Sequence, residues 1–251
     1  MLAFIRLLLA TVFIVFTCLF ALIYCLFSPR DPKHVYFFSQ WFKVLRKIVN
    51  VQIIERGEEK VTGIGKAVYI SNHQTVFDFV TSPGMVRPRT VSIGKKSLLW
   101  IPFFGPLYWI TGNILIDREN KAKARDTIKQ VVTAIHERNL SVWMYPEGTR
   151  SKGRGLLPFK TGAFRMAIEA GVPIVPMVVS STYNKIDLSN RDNGTVIAEY
   201  LDPIDTSAMT VQDARALADH CHEMMLNHIA KLDAEVAALT AQSETVAAKS
   251  S

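Results

Sequence analysis

A histidine and an aspartate that could form a catalytic pair follow a short apolar run in the first third of the sequence. The segment NHQTVFD (residues 72–78) comes directly after KAVYIS. Five positions on a straight α-helix rotate a side chain by about 140°, so His73 and Asp78 would not share one helix face. They meet if His73 lies in a turn and Asp78 in the first turn of the following helix. A carboxylate on Nδ1 then leaves Nε2 free as a base. Taken alone, the spacing favours a histidine that only caps the helix.

A second segment combines a glycine turn with an arginine. YPEGTRS (residues 145–151) follows another apolar run and is itself followed by KGRG. Glycine lets backbone amides approach an anion, and the planar Arg150 guanidinium suits a phosphate bidentately. No Gly-Lys-Ser/Thr triplet closes the segment, so it is not a Walker A loop. The segment predicts a phosphate-binding turn, with a solvated basic loop as the alternative for Lys152 and Arg154.

Three further segments supply candidate walls for such a site. GKKSLLWIPFFG (residues 94–105) leads from cationic residues into a bulky apolar stretch, a lining where a phosphate enters and an acyl chain leaves. Apolar runs of this kind are more often core, so this segment adds support only. Residues 158–162 and 172–176 are predicted turn and strand elements beside the site.

Composition and charge narrow the class of protein. The 49% hydrophobic and 20% charged residues exclude a disordered or low-complexity chain. The net charge is +7, and residues 85–165 contain 15 basic and 5 acidic residues, so one region favours anions. Three cysteines give neither a disulfide scaffold nor metal-ligand spacing, and a reducing compartment is the simplest interpretation. His220, His222 and His228 are predicted to lie on a solvated helix face, so no metal site is expected.

An apolar segment near the amino terminus has the length of a membrane helix. Residues 7–27 carry no formal charge and can cover a hydrocarbon core of about 30 Å. A secretory signal peptide would have an apolar region of roughly 7 to 15 residues ending in small residues, whereas this one ends in YCLF. We therefore predict a retained anchor, which either spans the bilayer or enters one leaflet.

The residues after this segment predict its orientation. Five basic residues follow it before residue 50, whereas Arg6 and the amino terminus precede it, so the bulk of the protein is expected in the cytoplasm. Residues 35–49 mix aromatic and aliphatic residues with Lys43, Arg46 and Lys47. This pattern is typical of a helix in the interface of an anionic membrane or of an amphipathic helix packed on the domain.

Beyond residue 50 the pattern predicts an α/β fold. Short runs rich in β-branched residues alternate with helical stretches. The predicted strands are 66–72, 113–116, 141–145, 172–181 and 195–201, and the predicted helices are 121–138, 161–170 and 211–233. We expect a mixed β-sheet flanked by helices, with an N-terminal hydrophobic helical anchor. The predicted parts are the anchor (1–50, with helices 7–27 and 35–49), an α/β catalytic domain (51–235) and a flexible tail (236–251).

Four ordered blocks of the sequence resemble the glycerolipid acyltransferase family, most closely its bacterial members that act on 1-acyl-sn-glycerol-3-phosphate. The blocks are residues 72–78, 94–105 with 113–118 after them, 145–151 and 172–176. One block is unspecific, but four in order behind an N-terminal anchor are hard to obtain otherwise. The resemblance covers nearly the whole chain. The family more often has Phe where this sequence has Tyr145.

The resemblance implies transfer of a fatty acyl group from an acyl thioester to the sn-2 hydroxyl of lysophosphatidic acid, forming phosphatidic acid in phospholipid biosynthesis. By the family's motif roles, His73 is the general base and Asp78 orients it. The substrate-binding residues carried over are the phosphate clamp of Arg150 with Lys95, and the acceptor-site residues Glu147, Gly148 and Thr149. Direct transfer is expected, because no Ser or Cys lies in a nucleophile elbow and Cys221 lies outside the blocks.

The resemblance also implies partners and a location. Acyl-CoA or acyl carrier protein is the co-substrate, and no further cofactor and no metal are expected. Lysophosphatidic acid and anionic membrane lipids are the other partners, and no nucleic acid is expected. The location implied is the inner (plasma) membrane of a bacterium, with the catalytic domain on the cytoplasmic side.

Other functions stay open from the sequence. The chain could acylate another lysophospholipid, or it could be a membrane-bound acyl thioesterase in which the same base activates water and releases free fatty acid without an acceptor. A basic nucleic-acid-binding membrane protein is the alternative from another class, because aromatic residues that could stack on bases cluster among the positive charges, namely Trp100, Phe103, Phe104, Tyr108 and Trp109. No recognised nucleic-acid motif accompanies them.

Overall fold

A mixed β-sheet forms the centre of the protein. The structure, a computed structural model, describes residues 1–116 and 124–249, and all elements named here lie in those ranges. The strands are β1 (Gln52–Arg56), β2 (Val68–Ser71), β3 (Thr90–Lys95), β4 (Ile114–Ile116), β5 (Ser141–Met144), β6 (Ile174–Val179) and β7 (Thr195–Tyr200). They are rich in Val and Ile, as expected for strands covered on both faces.

The strand order explains why the sheet is mixed. Neighbouring strands follow the order β1-β7-β6-β2-β5-β3-β4. Every neighbouring pair in this order is parallel except β6 and β7, which are antiparallel. The predicted mixed sheet flanked by helices is confirmed. β2, β5 and β3 are adjacent and parallel near the middle, so their carboxyl ends share one edge.

Helices cover both faces of the sheet. They are α1 (Leu2–Cys25), α2 (Lys33–Phe42), α3 (Val44–Val49), α4 (Glu58–Val61), α5 (Asp78–Thr81), α6 (Phe104–Ile110), α7 (Ala124–Glu137), α8 (Gly162–Ala170) and α9 (Ala214–Lys249). Along β2, Val68 and Ile70 pack with α7, α8 and α9, whereas Tyr69 between them packs with α3 on the opposite face. This alternation follows from the two-residue period of a strand.

The sequence pattern missed two strands, β1 and β3. β1 has an exposed and partly buried pattern at the edge of the sheet, so it lacks a continuous apolar run. In β3, Ser92 and Gly94 interrupt the apolar residues. The five predicted strands form within one or two residues of their expected ends. Residues 117 and 118 of a matched block and the start of the predicted helix 121–138 lie outside the described residues.

The carboxyl-terminal helix is longer than predicted. α9 continues to Lys249, so residues 236–249, predicted as a flexible tail, are helical. Leu232 and Val236 are buried in the core, and Leu239 packs against it, which holds the helix beyond the predicted boundary at residue 235. The Ala-rich sequence at the end of α9 has no clear hydrophobic pattern, but alanine itself is a strong helix former.

The amino-terminal apolar segment forms a helix that lies along the domain. α1 begins at Leu2 and is followed by α2 and α3, which divide the predicted helix 35–49 at Lys43. Cys18, Ala21 and Cys25 are buried against α2 and α6. Much of the opposite face of α1 is exposed and apolar, from Phe4 to Tyr24.

Arg6 fixes the start of α1 to the domain. This arginine is 6% exposed, and its guanidinium donates hydrogen bonds to the carbonyls of Leu188, Asn190 and Arg191. A charged side chain this close to an apolar helix is stable only when it is paired or hydrogen-bonded. Both ends of α1 therefore contact the same domain.

Candidate active site

The central parallel strands bring three predicted site segments to one edge of the sheet. β2 pairs with β5 through Ile70 and Met144, and β5 pairs with β3 through Trp143 and Ser92. The residues that follow β2 and β5 are the histidine turn and the Glu-Gly-Thr-Arg turn, and Lys95 ends β3. Side chains at the carboxyl ends of adjacent parallel strands lie close together, which is why such edges collect functional groups.

His73 and Asp78 are in direct contact. His73 lies in the turn after β2, Asp78 is the first residue of α5, and Nδ1 of the imidazole is 2.5 Å from Asp78 Oδ2. The carboxylate also accepts the backbone N–H groups of Gln74 at 2.9 Å and Thr75 at 3.3 Å. The Asp78 side chain is 7% exposed and that of His73 is 20% exposed. A fixed, buried carboxylate therefore orients a histidine that solvent or substrate can reach.

Tyr145 supports the imidazole from one side, a role that was not predicted from the sequence. Its ring stacks on that of His73 with 4.0 Å between centroids and 14° between planes. Burial, with a smaller contribution from Asp78, raises the pKa of the Tyr145 phenol, so the group stays neutral. A phenylalanine would stack equally well, so the signal was only that an aromatic residue precedes the Pro-Glu-Gly-Thr-Arg turn.

Two amide side chains pin the histidine turn to the end of β6. Asn72 donates to the Val179 carbonyl and accepts the Val179 N–H, both at 2.9 Å. Gln74 donates to the carbonyls of Val179 and Ser180 and accepts the N–H of Thr182 at 2.8 Å. Both side chains are buried, so the turn cannot shift without breaking these bonds. Both residues lie in the matched block 72–78, but no function was predicted for them from the sequence.

Glu147 holds the backbone of the histidine turn. Its Oε1 accepts the His73 N–H at 2.6 Å and its Oε2 accepts the Leu157 N–H at 3.0 Å. The side chain is 3% exposed, and burial raises the pKa of its carboxyl, while the two amide hydrogen bonds oppose that shift. The expected contact with the acceptor stays a prediction. The geometry assigns this carboxylate to positioning His73.

We expect Glu147→Gln to lower the transfer rate while leaving the KM for the acceptor nearly unchanged. The amide keeps one acceptor oxygen, so one of the two backbone N–H groups loses its partner and the turn moves. A displacement of about 1 Å at a reacting group costs up to about a hundredfold in rate. Steady-state kinetics measure the change, and Glu137→Gln, an exposed glutamate on α7, is the control. An increase in KM alone would assign Glu147 to acceptor binding instead.

The arginine turn is joined to the histidine turn through its backbone. Ser151 N–H donates to the His73 carbonyl at 2.8 Å, and Lys152 N–H donates to the Gln74 carbonyl at 3.1 Å. Arg150 directly precedes these contacts. Its Nε is buried, and the side chain has no hydrogen bond or ion pair within residues 1–116 and 124–249. A buried guanidinium N–H without an acceptor fits an anionic ligand, because leaving it unpaired is costly.

The other predicted clamp and acceptor residues lie on the same edge. Gly148 has φ 72°, a left-handed backbone conformation that glycine adopts without strain. Thr149 and Lys95 are exposed. The structure thus brings the segments carrying His73, Glu147, Arg150 and Lys95 together, and no predicted site residue lies elsewhere in the fold.

Cysteine chemistry is remote from this edge. Cys221 is fully buried in α9, and burial raises the pKa of its thiol to about 12. A thiol in that state is a poor nucleophile. In the described residues, no group of three or more His, Cys, Asp and Glu side chains forms a potential metal site. The groups present support base catalysis next to an anion site.

Comparison with known proteins shows the family of this chain. The sequence profile of the Acyltransferase family matches residues 52–180. The chain is 53% identical to the 1-acyl-sn-glycerol-3-phosphate acyltransferase of Escherichia coli K12 over 92% of this chain and 95% of the relative. It is 51% identical to the Haemophilus influenzae enzyme of that name over 94% of this chain and 99% of the relative.

A solved structure has the same fold. The crystal structure of the 1-acyl-sn-glycerophosphate acyltransferase of Thermotoga maritima superposes with a TM-score of 0.73 at 23% identity, covering 93% of this chain and 95% of the other. At that identity the likeness concerns the fold. The family profile and the near full-length relatives carry the assignment: this chain belongs to the acyltransferase family and is an enzyme.

Proposed function

We propose that the enzyme transfers a fatty acyl group from an acyl thioester to the sn-2 hydroxyl of lysophosphatidic acid, forming phosphatidic acid. The observation that carries this proposal is the contact of His73 Nδ1 with Asp78 Oδ2 at 2.5 Å beside the arginine turn, whose Ser151 N–H donates to the His73 carbonyl. A base next to an anion site matches an acceptor in which a hydroxyl lies close to a phosphate. The names of the closely similar bacterial relatives support the same acceptor.

The reaction is a direct acyl transfer. His73 Nε2 takes the proton of the acceptor hydroxyl as its oxygen attacks the thioester carbonyl carbon. Asp78 stabilises the imidazolium that forms, in the manner of a catalytic dyad. The tetrahedral intermediate then collapses, the carbon–sulfur bond breaks, and the thiolate leaves with the proton from His73. A placed base contributes about a hundred- to ten-thousandfold to such a step.

The oxyanion of the intermediate needs hydrogen-bond donors. Backbone N–H groups near His73 that already have a protein acceptor are less suitable for this role. The N–H groups of His73, Gln74, Gly148 and Ser151 already donate to protein acceptors. In the described ranges the N–H groups of Thr149 and Arg150 have no such acceptor. The Thr149–Arg150 backbone is therefore the candidate oxyanion site that the structure favours among these amides.

One experiment tests the proposed acceptor. Purified enzyme is incubated with an acyl-CoA or an acyl carrier protein thioester and a panel of lysolipids that differ only in headgroup, and thiol release is followed. The proposal expects turnover with lysophosphatidic acid and little with neutral or zwitterionic lysolipids. Equal turnover across the panel would overturn the phosphate specificity. Free fatty acid released without acceptor would indicate a thioesterase.

A lipid acceptor requires contact with a membrane. Among the described residues, α1 is the one helix that is long and apolar enough to cross a bilayer. Core helices of soluble proteins and signal sequences also meet this criterion of length and composition. Only 17% of its most apolar window is buried, so α1 is not a core helix. Because Arg6 and Cys25 contact the same domain, the helix axis runs along the domain surface. We infer that α1 lies in one leaflet, on the cytoplasmic side of a bacterial inner membrane, and does not span it.

This topology predicts where the amino terminus lies. A cysteine introduced by Leu2→Cys is expected to resist a membrane-impermeant maleimide in intact spheroplasts and to react after lysis. The native cysteines are all buried and do not interfere. Ser251→Cys in the cytoplasmic carboxyl terminus is the matched control and should behave identically. Labelling of Leu2→Cys before lysis, with the control protected, would show that α1 spans the membrane.

A further inference from the structure

Four large apolar side chains between β3 and β4 are exposed next to the active-site edge. Trp100 is 83% exposed, Ile101 45%, Phe103 47% and Trp109 47%. Three of them lie in the turn before α6, and Trp109 lies on α6 itself. Exposed aromatic groups of this density on an otherwise packed domain mark a surface that contacts a partner. We name residues 100–103 the tryptophan loop.

The tryptophan loop has a fixed and strained shape. Phe103 has φ 62° and ψ −48°, and Phe104 N–H donates to the Pro102 carbonyl at 2.7 Å, which is a γ-turn with positive φ. Such a turn is rare and strained for a bulky residue. Gly105 N–H donates to the Ile101 carbonyl at 2.8 Å and closes the loop. Strain of this kind persists only where the surroundings enforce it, and here it keeps apolar side chains outside the core.

The loop is continuous with the apolar face of the amino-terminal helices. α6 begins directly after it, and Leu107 and Ile110 of α6 are buried against Cys18, Ala21 and Cys25 of α1. The segment after α1 is tied to the end of α6, because Arg30 N–H donates to the Ile110 carbonyl at 2.7 Å. The loop and α1 are therefore parts of one packed unit, and both face the same environment.

Basic residues frame this apolar surface. The Arg30 guanidinium lies over the Trp109 ring, 5.1 Å from its centroid. Lys96 is exposed and has no ion pair in the part of the chain that the structure describes. Tryptophan flanked by lysine and arginine is the combination that favours the boundary between lipid headgroups and acyl chains. The flanking charges favour an anionic phospholipid surface over an apolar protein partner.

The surface also reaches the catalytic residues. Phe79 directly follows Asp78, is 49% exposed, and its ring contacts that of Phe104 with 5.8 Å between centroids. Val76, between His73 and Asp78, is 57% exposed. The contact between Phe79 and Phe104, which directly follows the tryptophan loop, thus places exposed apolar groups of the histidine turn and the loop next to each other.

From this contact we propose that the tryptophan loop is a second membrane contact, besides α1, which inserts Trp100, Ile101 and Phe103 into the headgroup boundary of an anionic phospholipid leaflet. The inserted loop holds the leaflet against the histidine turn. This inference rests on the proposed function insofar as that function requires an acceptor that stays in the membrane. It concerns residues of the catalytic domain, beyond the amino-terminal anchor.

Tryptophan fluorescence tests this insertion on the full-length enzyme. The protein is added to vesicles of phosphatidylglycerol and phosphatidylcholine whose acyl chains are brominated near the headgroup, since bromine quenches tryptophan on contact. We expect quenching that falls by at least about half in Trp100→Phe. Trp143→Phe is the matched control, because Trp143 is 6% exposed and its loss should leave the quenched emission unchanged. Equal quenching in Trp100→Phe and wild type would overturn the proposal.

A second variant measures the binding strength. Trp100→Ser is expected to weaken vesicle binding about tenfold, because the tryptophan side chain that inserts into the headgroup boundary is replaced by a polar one. Leu226→Ser, at an apolar position on α9 that is 45% exposed, should bind as wild type does. If Trp100→Ser binds normally but abolishes a concentration-dependent dimer, the loop is a contact between copies, and the lipid assignment is wrong.

The outcomes separate this inference from the proposed function. If no lysolipid is acylated but Trp100 is quenched by bilayer lipid, the proposed acceptor is wrong and the membrane contact stands. If lysophosphatidic acid is acylated but Trp100 is unquenched in vesicles, the contact is wrong and the proposed function stands. Quenching by brominated lysophosphatidic acid alone, and not by bilayer lipid, would assign the loop to the acceptor site and overturn the proposal.

Discussion

His73→Ala is expected to lower acyl transfer by about a hundred- to ten-thousandfold, because the acceptor hydroxyl loses its general base. The side chain is 20% exposed, and its contacts are with Asp78 and the Tyr145 ring, so its loss should not prevent folding. The Asp78 carboxylate keeps the N–H groups of Gln74 and Thr75 as partners. Thiol release in the presence of lysophosphatidic acid measures the effect.

The control for this prediction is another histidine. His220 is exposed on α9, far from the blocks in sequence, and His220→Ala should transfer acyl groups at the wild-type rate. Both variants should keep the circular dichroism spectrum and membrane association of the wild type. A wild-type rate for folded His73→Ala would refute the assignment of this histidine as the base.

Arg150→Ala is expected to raise the KM for the phosphorylated acceptor by about 10- to 150-fold. This range corresponds to the loss of about 1.5 to 3 kcal/mol for a hydrogen bond to a charged group. The physical reason is that the Arg150 Nε is buried without a protein acceptor, so a phosphate oxygen is the group that satisfies it. Steady-state kinetics with lysophosphatidic acid at saturating donor give the comparison.

A second acceptor makes this prediction specific. With a monoacylglycerol, which has the hydroxyl but no phosphate, the wild type and Arg150→Ala should give the same kinetics. Arg154→Ala is the control, because its guanidinium donates to the Ser151 and Arg150 carbonyls within the loop. An equal loss of activity with both acceptors would assign Arg150 to the structure of the turn and remove the phosphate clamp.

Much of the fold was predictable from local patterns. Buried strands such as β2 and β6 can be predicted from the sequence, because continuous runs of Val and Ile favour extended structure. β1 and β3 did not, because an edge strand and a strand with Ser92 and Gly94 lack that run. The end of α9 was also missed, since its stability comes from Leu232 and Val236 packing on a core assembled from distant segments.

The candidate site, like the fold, was predictable from the sequence only in part. The residue types at 73, 78 and 150 suggested base chemistry and anion binding, and the family resemblance added Glu147 as an acceptor-site residue. Their division of labour was not predictable. Glu147 was expected beside the acceptor, yet both of its oxygens bind backbone N–H groups, one of them from His73 across 74 residues of chain. Asn72 and Gln74 acquired positioning roles through contacts with Val179.

The sequence by itself determined the α/β class, the apolar amino-terminal helix and the chemical groups of the site, because propensity, hydrophobicity and side-chain chemistry are local properties. The tertiary structure alone decided which strands are neighbours. That order sets His73, Glu147 and Arg150 side by side at one sheet edge. It also decided that α1 lies along the domain, because the acceptors of Arg6 are carbonyls more than 180 residues away. Contacts over such separations depend on the packing of the whole chain, which no local pattern encodes.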